Sequence, residues 1–296
     1  MRLLIFGLGY SGAAISLAAS AAGFAVAATS REPDLANPPD EVELCDFTAA
    51  EAQIAQATHI LSTAPPGAHG DPVLARYRAA IAASRRLQWA GYLSTTGVYG
   101  DRQGGWVDEN SEVRAESPRA ARRIAAERDW AETVAGRAAL DIFRVAGIYG
   151  PGRSVFDDLR SGRARRIVKP GHAFGRIHRD DIAGSVVAAM QQGRHSGVRI
   201  LNLSDDQPEE TAVVQAYAAG LLGIESPPAI AFADAMPQMS EMARSFWMDN
   251  RKVRSELTQQ WLGYRWRYPS YREGLESILA EEFGDGGAQQ GKIPRP

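Results

Sequence analysis

Directly after the short apolar run Leu3-Leu4-Ile5-Phe6 the chain reads Gly7-Leu8-Gly9-Tyr10-Ser11-Gly12, and small residues suited to a helix follow from Ala13 to Ala22. Three glycines at that spacing, between a strand and a helix, can hold a phosphate. Gly7 permits the tight turn, Gly9 lets backbone approach a pyrophosphate, and Gly12 lets the helix pack closely on the strand. The amides around Gly9, Tyr10, Ser11 and Gly12, at the positive end of the helix dipole, would then bind the anion. The chemistry implied is dinucleotide binding. Which dinucleotide is decided near the end of the second strand, where an Asp or Glu usually accepts from the ribose 2′-hydroxyl of NAD. Here the chain reads Thr29-Ser30-Arg31. A hydroxyl and a guanidinium suit the 2′-phosphate of NADP. The other reading is a solvated Arg31, with Glu32 or Asp34 bonding the ribose of NAD.

These residues must be carried by a repeating framework. Short apolar runs at Phe24 to Ala28, Glu41 to Leu44, His59 to Ser62, Gly91 to Ser94 and Leu140 to Val145 read as strands two to six. Helical patterns at Ala49 to Ala57, Val73 to Leu87 and Arg119 to Ala135 alternate with them. Strands alternating with helices predict an α/β fold, a Rossmann-type doubly wound parallel sheet over residues 1–150. Strand order cannot be read from one sequence. Past Tyr149 the regularity weakens, which predicts a smaller C-terminal substrate lobe with closing helices over 151–283. A loose tail is expected over 284–296, where four glycines and two prolines bury little.

Charge and cysteine content narrow the partners. A formal net charge of -2 offers no basic excess for a polyphosphate backbone, so nucleic acid is not an expected partner. Cys45 is the only cysteine, which excludes an intrachain disulfide and a clustered thiolate site, and no metal is expected. The apolar start after Arg2 superficially looks like a secretory signal, but such a signal has no use for glycines at turn spacing. No apolar run approaches the ~20 residues of a membrane span. The expectation is a soluble cytoplasmic protein acting on a small molecule without contact with a membrane.

From Leu93-Ser94-Thr95-Thr96-Gly97-Val98-Tyr99-Gly100 onward the chain resembles the extended and atypical short-chain dehydrogenase/reductase superfamily, the NAD-dependent epimerase/dehydratase group. Further matching fragments are Phe143-Arg144 with Ile148-Tyr149-Gly150-Pro151-Gly152, Ile177-His178-Arg179-Asp180-Asp181-Ile182-Ala183, and Leu201-Asn202-Leu203. Asn250-Arg251-Lys252, Leu262-Gly263-Tyr264 and Gly274-Leu275 resemble that group's closing helices. The resemblance implies that Asp46 contacts the adenine, that Thr63-Ala64-Pro65 lines the cofactor, and that Thr95 stands for the catalytic Ser or Thr. A hydroxyl at that place donates to a substrate oxygen that gains charge during hydride transfer. A strand-end threonine bonded to backbone is the plainer alternative. Pairing of two long helices into a homodimer is common in the superfamily.

Two departures stand out. The group usually spaces its glycines G-x-x-G-x-x-G, and Phe6 fills the first place here. More seriously, the group's Tyr-x-x-x-Lys pair is missing. Counting back from Glu127 puts Arg119 at the tyrosine and Arg123 at the lysine. The only lysines are Lys169, Lys252 and Lys292, and none follows a tyrosine by four. Arginine can replace a ribose contact and a positive field, but a pKa above ~12 makes it a poor acid or base. Hydride transfer then needs another acid, and Tyr99, Asp108, Glu109 and His178 qualify by type. His178 also reads as structural, with Asp180 or Asp181 capping the next helix.

Arg153, Arg160, Arg163, Arg165, Arg166 and Lys169 crowd one stretch, followed by Arg176. They form either a clamp for an anionic substrate or a solvated basic face. Trp106 with Asp108-Glu109 is either a lid or a surface-packed loop. Three functions remain open: an NAD(P)-dependent oxidoreductase or epimerase/dehydratase acting on a polar, nucleotide-linked or phosphorylated molecule; an NADP(H)-binding redox sensor without turnover; and a purely structural Rossmann scaffold.

Overall fold

The computed structural model describes residues 1–30, 38–193, 195 and 197–289, with the backbone alone at 241, 242, 245 and 283–289. The first half alternates as its apolar periods require. It runs β1 (Arg2–Phe6), α1 (Tyr10–Ala21), β2 (Ala25–Ser30), β3 (Val42–Asp46), α2 (Glu51–Gln56), β4 (His59–Ser62), α3 (Pro72–Ala83), β5 (Trp89–Thr95), β6 (Trp106–Val107), α4 (Pro118–Val134) and β7 (Ala139–Val145). The second half continues through β8 (Gly147–Tyr149), α5 (Val155–Arg160), β9 (Arg166–Val168), β10 (Arg176–His178), α6 (Arg179–Gln191), β11 (Val198–Leu203) and α7 (Thr211–Leu221). It closes with β12 (Ala229–Ala231), α8 (Phe232–Ala235), α9 (Glu241–Met248), β13 (Lys252–Val253), α10 (Glu256–Leu262) and α11 (Tyr271–Gln289).

Seven strands form one parallel sheet in the order β11-β7-β5-β4-β1-β2-β3. This is the α/β doubly wound arrangement, and the order reverses between β1 and β4, where such sheets open a crevice at their carboxyl ends. Alternate side chains feed two cores. Leu3, Ile5, Leu93 and Phe143 face α1 and α6, while Leu4, Phe6, Tyr92 and Ile142 face α3 and α4. The inner strands β1, β4, β5 and β7 are covered on both faces and almost wholly buried, as parallel sheets require, while the edge strand β3 is partly exposed.

The second half does two things. β11 and α6 return to the large sheet, whereas α5, α7 and α11 bury Tyr149, Phe156, Leu159 and Tyr271 in a separate cluster. Three short parallel ladders, β8–β10, β9–β12 and β6–β13, stitch the late segments to loops beyond the sheet. Two details differ from the sequence pattern. The predicted Val73–Leu87 helix ends at Ala83, and Leu87 packs in the core as the chain turns into β5. The last helix continues to Gln289, into the stretch set apart as a tail, while 290–296 lie outside the described residues.

Candidate functional site

At the crevice the glycine turn runs from β1 into α1 with each glycine doing different work. Gly7 has φ +106°, a conformation that side chains avoid, and a Cβ there would stand 2.6 Å from Thr63 Oγ1. Thr63, just past β4, donates its hydroxyl to the Gly7 carbonyl at 2.8 Å, locking the turn to the neighbouring strand. A Cβ on Gly12 would come within 2.1 Å of that same carbonyl oxygen, so only glycine lets α1 lie this close. A Cβ on Gly9 would meet nothing within 4 Å. Gly9 is also the N-cap of α1, with no side-chain cap and no acid in the first turn. The turn therefore presents helix-end amides to open space, the arrangement an anion fills.

The surrounding residues define the rim. Tyr10 turns its phenol away from the turn, donating to the Pro151 carbonyl at 3.0 Å, with Arg153 and Arg179 over its ring. Its backbone, not its side chain, faces the cradle. Ser11 is buried in the first turn of α1. Ser30 ends β2 opposite Asp46 of β3. Asp46 accepts from both the amide and the hydroxyl of Thr48 at 2.5 Å, bonds that hold its carboxyl below the usual pKa. Thr63-Ala64-Pro65 follow β4 beside Gly7. Arg31, Glu32 and Asp34 lie outside the described residues.

The reaction side is built where β5 ends. Thr95 is half-buried, and its Oγ1 accepts from the Gly97 amide at 3.1 Å, capping the short turn Thr96–Tyr99. That bond occupies a lone pair, and the Thr95 O–H has no acceptor among the described residues. The hydroxyl is thus oriented by backbone and left able to donate. The backbone-bonded reading of this residue is observed.

The neighbouring α4 starts at Pro118 after the Ser117 cap. Arg119, at the tyrosine place, is exposed with its guanidinium 5.5 Å from the Phe246 ring. Arg123, at the lysine place, donates to the Tyr92 phenol at 3.0 Å and the Leu93 carbonyl at 2.8 Å. The Glu127 count that set this alignment rests on a buried ion pair, with Arg144 Nη2 2.8 Å from Glu127 Oε2 and Ser94 donating to Oε1 at 2.5 Å.

The four alternative acids are corrected by their surroundings. Tyr99, one of the expected catalytic residues, is 0% exposed and donates to Asn202 at 2.7 Å beneath the Arg144 guanidinium, and burial raises its pKa. Glu109 is buried and accepts from Thr258, and Asp108 holds the Asn110 amide and the Ser111 hydroxyl. His178 is fully buried between Tyr149 and Tyr268, and burial pushes its pKa down to about 4. It caps α6 itself, its Nδ1 accepting from the Asp180 amide, while Asp181 binds the amides of Arg267 and Tyr268. Neither aspartate is the cap that the sequence suggested. All four groups hold the structure together.

The basic stretch also disperses. Arg160 pairs with Glu282, Arg163 with Asp158, and Arg176 is spent on the carbonyls of Phe174 and Glu209. Arg165 and Arg166 bond Gln238 and the Pro227 carbonyl, and Lys169 bonds the Trp247 carbonyl. In its place stands Arg251, which the sequence marked only as part of a closing fragment. The β6–β13 ladder brings Arg251 against the β5 turn, with Nη1 donating to the Gly100 carbonyl at 3.0 Å. Trp106 packs under Lys252 and Arg254 in the same ladder. A two-residue strand has no period to reveal it, so no local signal could have found Arg251.

No protein-family model matches the chain. A curated relative, protein YeeZ of Escherichia coli strain K12, is 26% identical over 181 residues. That match covers 60% of this chain and 58% of YeeZ, so it spans little more than half of the relative's length. Among solved structures, MoeE5 in complex with UDP-glucuronic acid and NAD superposes with a TM-score of 0.77 at 17% identity, over 96% of this chain and all of that one. Human epimerase family protein SDR39U1 with NADPH gives 0.72 at 16% identity, covering 95% of this chain and 99% of that one. The fold is that of the extended short-chain dehydrogenase/reductase superfamily, the NAD-dependent epimerase/dehydratase group. Within that fold the chain belongs to the family of a functionally unknown conserved protein from Silicibacter pomeroyi, with 40% identity and a TM-score of 0.87 over 95% of this chain and 98% of that one. Among the described residues no helix is long and apolar enough to cross a membrane.

Proposed function

We propose that this chain binds a nicotinamide dinucleotide, NADP(H) ahead of NAD(H), and acts in the cytoplasm as an oxidoreductase or epimerase/dehydratase-type enzyme on a polar small molecule, foremost a nucleotide-linked sugar. The observation that carries the reading is the cradle: Gly7 and Gly12 are sterically required, and Gly9 faces open space at an uncapped helix end. The donor set fits the group. Backbone of residues 9–12 would hold the pyrophosphate, Thr63-Ala64-Pro65 would line the dinucleotide, and Asp46 would meet the adenine. Ser30 with Arg31 would receive a 2′-phosphate. When bound, the nicotinamide exchanges a hydride with substrate. Similar folds carrying NAD or NADPH support the cofactor class.

The chain's own part in the reaction differs from the superfamily's. Thr95 donates its free O–H to the substrate oxygen on which negative charge builds. Arg119 and Arg123 supply positive field where a phenol and an amine would otherwise stand, and neither gives up a proton near neutral pH. The proton therefore comes from solvent when a carbonyl is reduced and returns to solvent when an alcohol is oxidised, with Thr95 holding the oxygen.

The test is a fluorescence assay of NADPH oxidation, and of NADP+ reduction, against a panel of nucleotide sugars and simple carbonyl compounds. Wild type should turn over at least one compound, and Thr95→Ala should lower its kcat about 100-fold, as loss of one oxyanion donor does, with cofactor affinity unchanged. Tight cofactor binding without turnover of any compound would favour a redox sensor. Arg31→Ala should weaken NADPH and spare NADH; equal losses would remove Arg31 from the 2′-phosphate site.

A further inference from the structure

The first two turns of α4 carry Arg119, Arg122 and Arg123, at i, i+3 and i+4 on one side of the helix. This is an unfavourable place for them. The helix dipole is positive at this end, and like charges at these spacings repel. There is no acid in the first turn, and among the described residues no carboxylate lies within ion-pair distance of any of the three. Elsewhere exposed arginines such as Arg78, Arg128, Arg160 and Arg163 do find carboxylates. Partial desolvation, then the Arg123 and Arg122 charges, hold the Arg119 pKa below the usual arginine value.

A fourth guanidinium approaches from the other side of the β5 turn. Arg251 is fixed through Nη1 by the Gly100 carbonyl and by Asp249, each at 3.0 Å, and Asp249 offsets part of its charge. Its Nη2 lies 3.8 Å from where a Gly97 Cβ would stand, the same point being 3.4 Å from Thr95 Oγ1. No hydrogen bond of that nitrogen is found among the described residues. The segment carrying Arg251 also carries Phe246, 53% exposed, against which Arg119 lies. The β5 turn, the start of α4 and residues 246–251 thus lie side by side, with Arg251 offset by Asp249 and Asp101 while the three α4 arginines have no carboxylate partner among the described residues.

We propose that these side chains form a substrate-anion clamp: Arg119 and Arg251 together bind a carboxylate or phosphate of the substrate, beside Thr95 and against Phe246. The inference rests on the reading of Thr95 as the residue that faces substrate. Planar guanidiniums bind such groups through paired N–H bonds, and the Arg119 guanidinium, 5.5 Å from the Phe246 ring, makes no hydrogen bond among the described residues. An arginine at the tyrosine place then has a positive purpose: it trades a proton donor for an anchor.

The test uses calorimetry with glucose 1-phosphate, glucuronate and glucose, which share a ring and differ in carrying a phosphate, a carboxylate or neither. Titrations are made with and without saturating NADPH, whose own binding is read separately by its fluorescence. Wild type should bind one or both acids and not glucose, and the stronger of the two names the anion. Arg119→Gln and Arg251→Gln should each weaken it at least tenfold. Arg163→Gln, a solvent-facing control, should not. Because Arg251 also braces Gly100, thermal midpoints accompany each variant; Arg119→Gln, on an exposed side chain, should melt with wild type and is decisive by itself. Equal binding by wild type and Arg119→Gln, or failure of wild type to bind either acid, would overturn the clamp. Loss of NADPH binding with the acid still held by Arg119 would overturn the cofactor reading instead and leave the clamp standing.

Discussion

The two ends of the crevice are built from different parts of the chain. At the β1–α1 turn the protein uses backbone: Gly7, Gly9 and Gly12 remove side chains so that amides can reach an anion. At the β5–α4 end it presents side chains, with Arg251 near the Thr95 hydroxyl and Arg119, Arg122 and Arg123 on the first turns of α4. The first arrangement is tied to the fold, because the glycines also set how closely helix and sheet pack. The second is not, since an exposed arginine can change without moving the backbone. A turn of this type can therefore persist while the reaction beside it diverges, and a fold match speaks for the first end far better than for the second.

The comparison is sharpened most by breaking the frame they share. Glu127→Ala strands a buried Arg144 and should cost about 3–5 kcal/mol of unfolding free energy in urea titrations. A cost under about 1 kcal/mol would mean that the pair does not hold α4 against the sheet. At the turn, Gly12→Ala and Gly9→Val separate packing from binding. Gly12→Ala forces a Cβ onto the Gly7 carbonyl and should cost about 3 kcal/mol, whereas Gly9→Val projects into open space. Gly9→Val should leave the thermal midpoint near wild type and weaken nucleotide at least about tenfold, or about 1.4 kcal/mol.

His178 is predicted to make the fold acid-sensitive. Its folded pKa of about 4 lies below the ordinary value of 6.5, so its neutral form stabilises the protein fully above about pH 6.5 and less as pH falls toward 4. By pH 5 the loss is about 2 kcal/mol from this group. His178→Asn keeps a cap on α6 without a titrating ring, so its stability deficit should shrink by that amount between pH 7 and pH 5. An unchanged deficit would show that His178 is not the titrating group. The smallest effect is expected of Tyr99→Phe, which removes one buried hydrogen bond to Asn202 at about 1 kcal/mol and leaves turnover intact. A collapse of kcat at unchanged stability would return Tyr99 to the catalytic side.

What could be read from the sequence follows the same division. Six of the sheet's seven strands, the four helices between them and the glycine turn were legible because each is local, whereas the strand order and the late elements β11 and α6 were not. The ladders β6–β13, β8–β10 and β9–β12 were not, since two or three residues carry no period, and the first of them brings Arg251 to Thr95 across 156 positions of chain. The run from Arg153 to Lys169 misled for the complementary reason. Neighbours in sequence on short elements point in different directions, and each found its own partner in space. Tyr99 and His178 were plausible acids by type, and only burial, a property of the folded chain, reassigns them.

The claim on which the rest depends is that the turn binds a nicotinamide dinucleotide. Calorimetric titration of purified protein with NADPH and with NADH, after mass spectrometry for any nucleotide that co-purifies, tests it most directly. Submillimolar binding is expected, tighter for NADPH, and at least tenfold weaker in Gly9→Val at an unchanged thermal midpoint. Binding of neither nucleotide by a protein that carries none, or equal binding by Gly9→Val, would contradict it.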